Sequence, residues 1–127
     1  VWGCWAMDLK EKRAGDAILV AAAGRIDLSN ADAFKDALSA SLAKTKTALI
    51  LDLSGVDYIS SAGLRALMIA FKASKAENKA FGIAGLQPLL LEIFAISRFN
   101  QVFALFDSVR DGVAKLAPDA LSEFDTP

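Results

Sequence analysis

The segment from Ala48 to Phe71, ALILDLSGVDYISSAGLRALMIAF, decides the fold of this chain. It opens with ALILDL, a nearly continuous apolar run, which is typical of a strand covered on both faces. The turn-forming residues Ser54, Gly55 and Asp57 follow, and they are expected to end the strand in a short loop. The segment therefore predicts a buried central strand that leads through a loop into the residues beyond.

Those residues predict a helix that begins directly after two serines, Ser60 and Ser61. A helix N-terminus leaves backbone N–H groups unpaired and carries partial positive charge, so both serines are N-cap candidates. The same end of a helix also accepts phosphate. Two interpretations stay open: a serine caps the helix, or a serine hydroxyl exposed at the end of the strand takes a phosphoryl group. The apolar stripe of this helix, at i, i+3, i+4, i+7 spacing, is Leu64, Leu67, Met68 and Phe71.

The run DLSGVDYISSAGLRAL resembles the signature of STAS domains, and specifically that of the free-standing anti-sigma-factor antagonists of bacteria. In that family Asp-Leu-Ser is followed by Asp-Ser-Ser-Gly-Leu or by the variant Ser-Ser-Ala-Gly-Leu, which this chain carries. The resemblance implies that Ser61 is the phosphorylation site, and that Gly63 and Leu64 are the Gly-Leu that follows. Ser60 and Ala62 depart from the commoner pattern, which has aspartate and a second serine or threonine there.

The resemblance also implies a partner-binding surface around the phosphorylation site. The family has a Gly-x-x-Asp step that leads toward the phosphoserine, which makes Asp27 a candidate contact; a plain loop or near-cap role is its alternative. Arg65 and Ile69 lie on the helix face away from the apolar stripe, and an apolar residue close to the phosphosite is where a partner would dock. The alternatives are that Arg65 belongs to a basic face that is only solvated, and that Ile69 is a single exposed isoleucine with no binding role. The implied contact set also includes Ser60, Ala62 and Gly63.

Composition and charge predict a compact globular protein. The chain has 127 residues, 54% of them hydrophobic, and a net charge of −1, which suits one domain with one core and argues against disorder. The balanced charge does not indicate the basic patch that direct nucleic-acid binding usually needs. No apolar run has the length of a membrane span, and no signal peptide is recognisable. A single cysteine forms no internal disulfide, so we expect a reducing, cytoplasmic location.

Residue types that most enzyme sites need are missing from the sequence. Without histidine there is no Ser–His–acid triad, no histidine base and no histidine metal site, and one cysteine cannot form a thiolate cluster. Neither a G-x-x-x-x-G-K-[ST] loop nor a G-x-G-x-x-G fingerprint occurs. A nucleophile at Ser60 or Ser61 would need a lysine base, and no Ser-x-x-Lys begins at either serine. Chemistry that uses carboxylates alone stays open, but no stretch of the sequence suggests it. We therefore expect no catalytic residue, no metal and no cofactor.

Strands and helices alternate along the rest of the chain. Met7–Arg13 and Ala17–Ala23 are expected to pair as a hairpin. The alternation predicts an α/β fold: a single STAS-like domain with a mixed, mostly parallel central sheet and about four helices packed on it. A first helix is predicted after a capping box at Ser29 and Asp32, and its core residues are Phe34, Leu38 and Leu42. A later helix is predicted from Pro88, with Leu90, Ile93 and Phe94 in the core. The remaining predicted elements are strands at Ala80–Ala84 and Gln101–Leu105 and a helix at Val109–Leu116.

The two ends of the chain are predicted to lie outside this domain, which is assigned to residues 7–117. Residues 1–6, VWGCWA, precede a candidate native start at Met7. They are either an upstream extension or an N-terminal strand that buries Trp2 and Trp5. Residues 118–127 are assigned to a flexible acidic tail.

The resemblance implies a switch-like function. The unphosphorylated protein would bind an anti-sigma factor that is a serine kinase and so release the sigma factor. Phosphorylation at Ser61 by that kinase, which holds the ATP, would reverse the binding, and a PP2C-type phosphatase would reset it. The alternative is a STAS scaffold or accessory subunit of a transporter or signalling complex without a phosphoswitch. The oligomeric state is left as monomer or weak homodimer.

Overall fold

The computed structural model describes residues 7–121, and for Met7 it describes the backbone alone. The predictions for residues 1–6 and for residues 122–127 lie outside this range. Short 3-10 turns occupy Phe99–Gln101 and Pro118–Ala120. In chain order the strands and α-helices are β1 Met7–Ala14, β2 Ala17–Ile26, α1 Ala31–Lys44, β3 Ala48–Ile59, α2 Ser61–Ala76, β4 Ala80–Ala84, α3 Pro88–Ile96, β5 Ala104–Phe106 and α4 Val109–Leu116.

The five strands form one mixed sheet in the order β1-β2-β3-β4-β5. β1 and β2 pair antiparallel as the predicted hairpin, with Met7 opposite Gly24 and Ala14 opposite Ala17. The pairs β2–β3, β3–β4 and β4–β5 are all parallel. Because parallel strands need crossover connections, and these are right-handed, a sheet that grows in one direction carries α1, α2 and α3 on one face. The predicted fold class is confirmed.

The central strand β3 explains why its sequence is apolar almost throughout. Successive side chains point to opposite faces of a sheet, and each face of β3 is covered. Leu49 and Leu51 join the large cluster under α1, α2 and α3, whereas Ala48 and Ile50 join a smaller cluster under α4. The predicted core residues of α1 and two of the three of α3 are fully buried in the large cluster: Phe34, Leu38, Leu42, Leu90 and Phe94.

The predicted end of β3 at Leu53 is wrong, since the strand continues to Ile59. The strand continues because β2 pairs with Gly55 and with the residues up to Ile59. Ser54 and Asp57 fall at two irregularities in that register. Gly55 lies opposite Ala23, and a Cβ at Gly55 would come 2.9 Å from the Cβ of Ala23. The glycine therefore permits close strand contact here and does not mark a turn.

The buried face of α2 is rotated from the predicted apolar stripe. Leu67 is fully buried, but Leu64, Met68 and Phe71 are only partly buried. α2 packs on α1 as well as on the sheet, and small side chains allow that close approach. The buried residues of the helix are Gly63, Ala66, Leu67, Ala70 and Ser74.

The C-terminal third follows the prediction in α4 but not in β5. α4 begins after Ser108, whose hydroxyl accepts a hydrogen bond from Asp111 N at 3.1 Å. β5 is a three-residue strand and not the predicted Gln101–Leu105, because the chain first makes a 3-10 turn after Arg98, which adopts a left-handed conformation at φ 62°. Ala120, assigned to the tail from sequence, is 4% exposed and packs in the cluster under α4.

Candidate functional site: the serine pair at the start of α2

Ser60 is the N-cap of α2. Its backbone is extended (φ −89°, ψ 175°), and its hydroxyl accepts a hydrogen bond from Gly63 N at 3.2 Å. Its own backbone N–H donates to Ile26 O at 2.8 Å, which ties the start of the helix to the end of β2. The capping role that sequence left open between two serines therefore belongs to Ser60.

Ser61 is the first residue of α2 and is exposed to solvent. The amide groups of the first helical turn give this position partial positive charge, which favours an anion on the serine oxygen. Ser61 stands just past the carboxyl end of β3, a central parallel strand, where open α/β sheets place their functional residues. The Ser61 hydroxyl is thus exposed at a position of partial positive charge.

A groove of about 320 Å³ runs between α1 and α2 beside Ser61. Ile69 is 43% exposed on α2, and Leu28, in the loop before α1, is 83% exposed. Two cations and one carboxylate, from Lys35, Arg65 and Asp32, also line it. The groove brings together four residues that the sequence had assigned to phosphorylation or partner binding: Ser61, Ala62, Arg65 and Ile69.

Asp27 organises the loop between β2 and α1. Its carboxylate accepts hydrogen bonds from Ser29 N at 3.0 Å and from Ser29 Oγ at 2.5 Å. The bond from the Ser29 hydroxyl holds the pKa of Asp27 below its ordinary value, and the guanidinium of Arg25, 3.8 Å away, acts in the same direction. Asp27 does not line the groove; it shapes the loop that carries Leu28.

The predicted capping box at Ser29 and Asp32 is wrong. The N-cap of α1 is Asn30, because Asp27 already binds the Ser29 hydroxyl. Asn30 is buried, and its amide links the loop internally: Oδ1 accepts from Asp27 N, and Nδ2 donates to Arg25 O, each at 2.8 Å. The loop is thus held by side chains at both of its ends.

Gly63 faces the interior and not the groove. It is buried, and a Cβ at this position would lie 2.6 Å from Ile59 Cγ1 and 2.8 Å from Ile26 Cγ2. The glycine lets the first turn of α2 sit directly on the ends of β2 and β3. In the structure it sets the position of Ser61 without being accessible itself.

Sequence reasoning missed Leu28, Asp32 and Lys35, which line the groove from the α1 side. The signal for Leu28 is an apolar residue between two turn-forming residues, Asp27 and Ser29. Asp32 and Lys35 give no such signal, because surface charges on a helix are ordinary. The tertiary packing of α1 on α2 is what places them opposite Ser61.

Residues 7–121 contain no group of three or more His, Cys, Asp or Glu side chains that could hold a metal ion. Within the same residues, no helix is both long enough and apolar enough to cross a membrane.

The chain is similar to bacterial regulators in sequence and to their structures in fold. BtrV of Bordetella bronchiseptica, provisionally named an anti-sigma factor antagonist, is 33% identical over 107 residues, which are 84% of this chain and 91% of BtrV. The anti-sigma-B factor antagonist of Listeria monocytogenes is 30% identical over 99 residues, 78% of this chain and 86% of that protein.

A crystal structure of an anti-sigma factor antagonist from Mycobacterium paratuberculosis superposes with a TM-score of 0.78 at 23% identity, and covers 87% of this chain and 93% of that one. The family model described as the STAS domain matches residues 9–112, from the first strand into α4. With that match over most of its length and these relatives beside it, the chain belongs to the STAS domain family.

Proposed function

We propose that this protein is a phosphorylation-switched anti-sigma factor antagonist, and that Ser61 is its phosphorylated residue. In this proposal the unphosphorylated protein binds an anti-sigma factor that is also a serine kinase, and the sigma factor is released. The names of the relatives in Bordetella and Listeria support the antagonist role. The observation that carries the choice of residue is the contrast within the serine pair: Ser60 Oγ is engaged by Gly63 N, and Ser61 is exposed.

The partner would meet the surface around the groove. Leu28 and Ile69 offer exposed apolar area on its two sides, and Arg65 and Lys35 offer charge. Apolar anchors surrounded by polar groups are the usual composition of a protein interface. Asp27 would contribute indirectly through the loop that presents Leu28. Ser60, Ala62 and Gly63 would contribute by fixing the first turn of α2.

Phosphorylation would change the interface more than the domain. A phosphoserine carries about −1.5 to −2 charge at neutral pH. Within the domain, the N-terminus of α2 stabilises this charge. At a desolvated contact the same charge is costly unless the partner supplies a cation. A coupling of roughly 1–3 kcal/mol already changes the affinity about 5–150-fold, which is enough for a switch.

The proposed switch also implies a source of phosphate, an enzyme that removes it, and a place where both act. The kinase holds the ATP, so this chain needs no cofactor and performs no catalysis of its own. A PP2C-type phosphatase would remove the phosphate and restore binding. All of these steps would take place in the cytoplasm, and the chain would act as a monomer or a weak homodimer.

A pull-down from lysate of the source organism tests the proposal. The baits are Ser61→Ala and Ser61→Asp, and captured proteins are compared by mass spectrometry. Thr47→Ala and Thr47→Asp form the matched control, because Thr47 is exposed next to the amino end of β3, the end of the strand away from Ser61. We expect a kinase-like protein that Ser61→Ala retains and Ser61→Asp loses, with no difference between the control baits.

Incubation of the full chain with the captured kinase and ATP then tests which serine is phosphorylated. Intact mass should rise by one phosphate in the unmodified protein and in Ser60→Ala, and stay unchanged in Ser61→Ala. Phosphate on Ser61→Ala would overturn the assignment. Equal retention of one partner by both Ser61 baits would favour the scaffold or accessory role without a phosphoswitch.

A further inference from the structure

Arg65 is the positively charged neighbour of Ser61 on α2. The two residues stand four positions apart, so their side chains lie on the same face of the helix with about 5–6 Å between their Cβ atoms. Both are exposed, and both line the groove between α1 and α2. A negative group followed four residues later by a positive group is the favoured order for such a pair. A phosphate on Ser61 would create that order.

Arg65 has no acidic partner among the described residues. None of the hydrogen bonds and ion pairs of residues 7–121 uses its guanidinium, and α2 contains no acidic residue. The other cation of the groove, Lys35, lies three positions after Asp32 on α1, which places a carboxylate beside it. Arg65 is therefore the cation of the groove that can bind a new anion without giving up an existing partner.

The guanidinium suits a phosphate by shape as well as by charge. Its planar fork donates two parallel N–H bonds to a pair of phosphate oxygens. Asp32, Lys35 and Arg65 are the charged residues that line the groove, and together they give it a net charge of +1. A phosphoserine at position 61 would lower that charge to between about −0.5 and −1 at neutral pH.

We propose that a phosphate on Ser61 forms an ion pair with the Arg65 guanidinium of the same chain. The pair depends on the phosphorylation of Ser61 proposed above, and it gives that phosphate a binding partner within the domain. The unmodified groove presents the Arg65 guanidinium to solvent. In the phosphorylated protein the same guanidinium is occupied, and the groove has become negative. A partner group that binds Arg65 in the unmodified protein therefore loses this contact when Ser61 is phosphorylated.

The titration of the phosphate measures the pair directly. Phosphoserine is incorporated at position 61 during translation, so that no kinase is needed, and phosphorus NMR follows the phosphate as the pH is varied. The second pKa of phosphoserine is ordinarily about 6, and a cation beside the dianion lowers it. Arg65→Gln should therefore raise the pKa of this phosphate by about 0.3 unit, the size expected for an exposed pair.

Two control variants separate this pair from the general field of the protein. Lys72→Gln also removes one positive charge from an exposed position of α2, but about 16 Å along the helix from Ser61, where salt screens most of its effect. We expect it to leave the pKa of the phosphate unchanged. Lys35→Gln removes the other cation of the groove, and we expect it to raise this pKa less than Arg65→Gln does.

The Arg65 side chain gives a second measurement. Its Nε–H resonance, identified by its absence in Arg65→Gln, should shift when phosphoserine replaces Ser61. The proposal is overturned if this resonance stays in place, if the pKa of the phosphate is the same in Arg65→Gln and in the phosphoprotein with Arg65, or if Lys35→Gln or Lys72→Gln raises that pKa as much.

The encoded phosphoserine also keeps the pair distinct from the proposed switch. Loss of the Arg65 pair would not bear on whether a kinase modifies Ser61 or whether a partner dissociates. Conversely, a pull-down that finds no kinase would leave the pKa of the phosphate and the Arg65 resonance as measurable as before.

Discussion

Ser60 and Ser61 are adjacent in the sequence, yet the helix engages only one of their hydroxyl groups. Ser60 has extended backbone angles, so its hydroxyl turns back to the amide of Gly63. Ser61 has already entered the helix and remains exposed. At the scale of the residue, a change of backbone conformation between two neighbours separates a structural serine from one that is accessible for modification.

Gly63→Ala should destabilise the protein. The new methyl group would lie within 2.6–2.8 Å of buried side-chain atoms of Ile59 and Ile26. Overpacking of this kind costs about 1–3 kcal/mol, which outweighs the gain of up to about 1 kcal/mol from replacing glycine by alanine in a helix. Denaturant unfolding measures the difference in the free energy of unfolding.

Gly112→Ala in α4 is the matched control for that substitution. Its added Cβ would meet Ile50 Cγ2 at 3.2 Å and Phe106 Cδ2 at 3.3 Å, distances that a small adjustment relieves. We therefore expect Gly112→Ala to lose less stability than Gly63→Ala. A Gly63→Ala protein as stable as the original would show that the first turn of α2 does not depend on this close approach.

At the scale of the element, the start of α2 is fixed by both the side chain and the backbone of Ser60. The side chain of Ser60 caps the helix, while its backbone N–H binds Ile26 O at the end of β2. The opposite end of α2 has a different termination, with Asn78 in a left-handed conformation at φ 58° after the helix. The helix that carries Ser61 is therefore tied to β2 at the end where the proposed phosphorylation site lies.

Ser60→Ala should lower the free energy of unfolding by about 1 kcal/mol, because the Gly63 amide loses its cap. Ser60→Asp should keep most of the stability, since aspartate is an equally good N-cap and its charge suits a helix N-terminus. Thermal or denaturant unfolding of the two variants checks the order. Equal losses for alanine and aspartate would contradict a capping role for this side chain.

At the scale of the whole molecule, a polar contact joins the edge strand to the first helix across about thirty residues of sequence. Glu11 on β1 accepts hydrogen bonds from Ser41 Oγ at 2.6 Å and from Lys44 Nζ at 3.1 Å. Arg13 Nη2 adds a bond to Lys44 O at 3.2 Å. These contacts hold the outer strand of the hairpin against the helix that forms one wall of the groove.

This contact makes part of the stability depend on pH. The hydrogen bond from Ser41 is the main cause that lowers the pKa of Glu11 from its ordinary value of 4.5, and the hydrogen bond from Lys44 lowers it further. The unfolded chain therefore takes up the proton first as the pH falls. The stabilisation is complete above about 4.5 and is lost as the pH falls through the lower, folded-state pKa.

Glu11→Gln isolates that contribution. The difference in the free energy of unfolding between Glu11→Gln and the original protein should stay constant from about pH 7 to pH 5. It should then shrink below about pH 4.5. Asp8→Asn, on the same strand, controls for the loss of one negative charge. A difference that persists unchanged at pH 3 would mean that the Glu11 carboxylate is not the stabilising group.

The sequence by itself determined the elements whose signals are local. The apolar run of β3, the core positions of α1 and the bounds of α4 each depend on residues a few positions apart, and the structure has them as predicted. The motif ISSAGL placed a serine pair at the start of a helix and pointed to the STAS domain family. These inferences hold because periodicity and capping act within one element.

Only the tertiary structure decided the features that depend on residues far apart in sequence. β3 continues through the turn-forming Gly55 because β2 pairs with it there. Ser60 is the cap and Ser61 the exposed residue because the Ile26 carbonyl fixes where α2 begins. The groove that joins Leu28 to Ile69 exists because α1 packs on α2. Strand register and helix packing are set by contacts between elements, which no local pattern records.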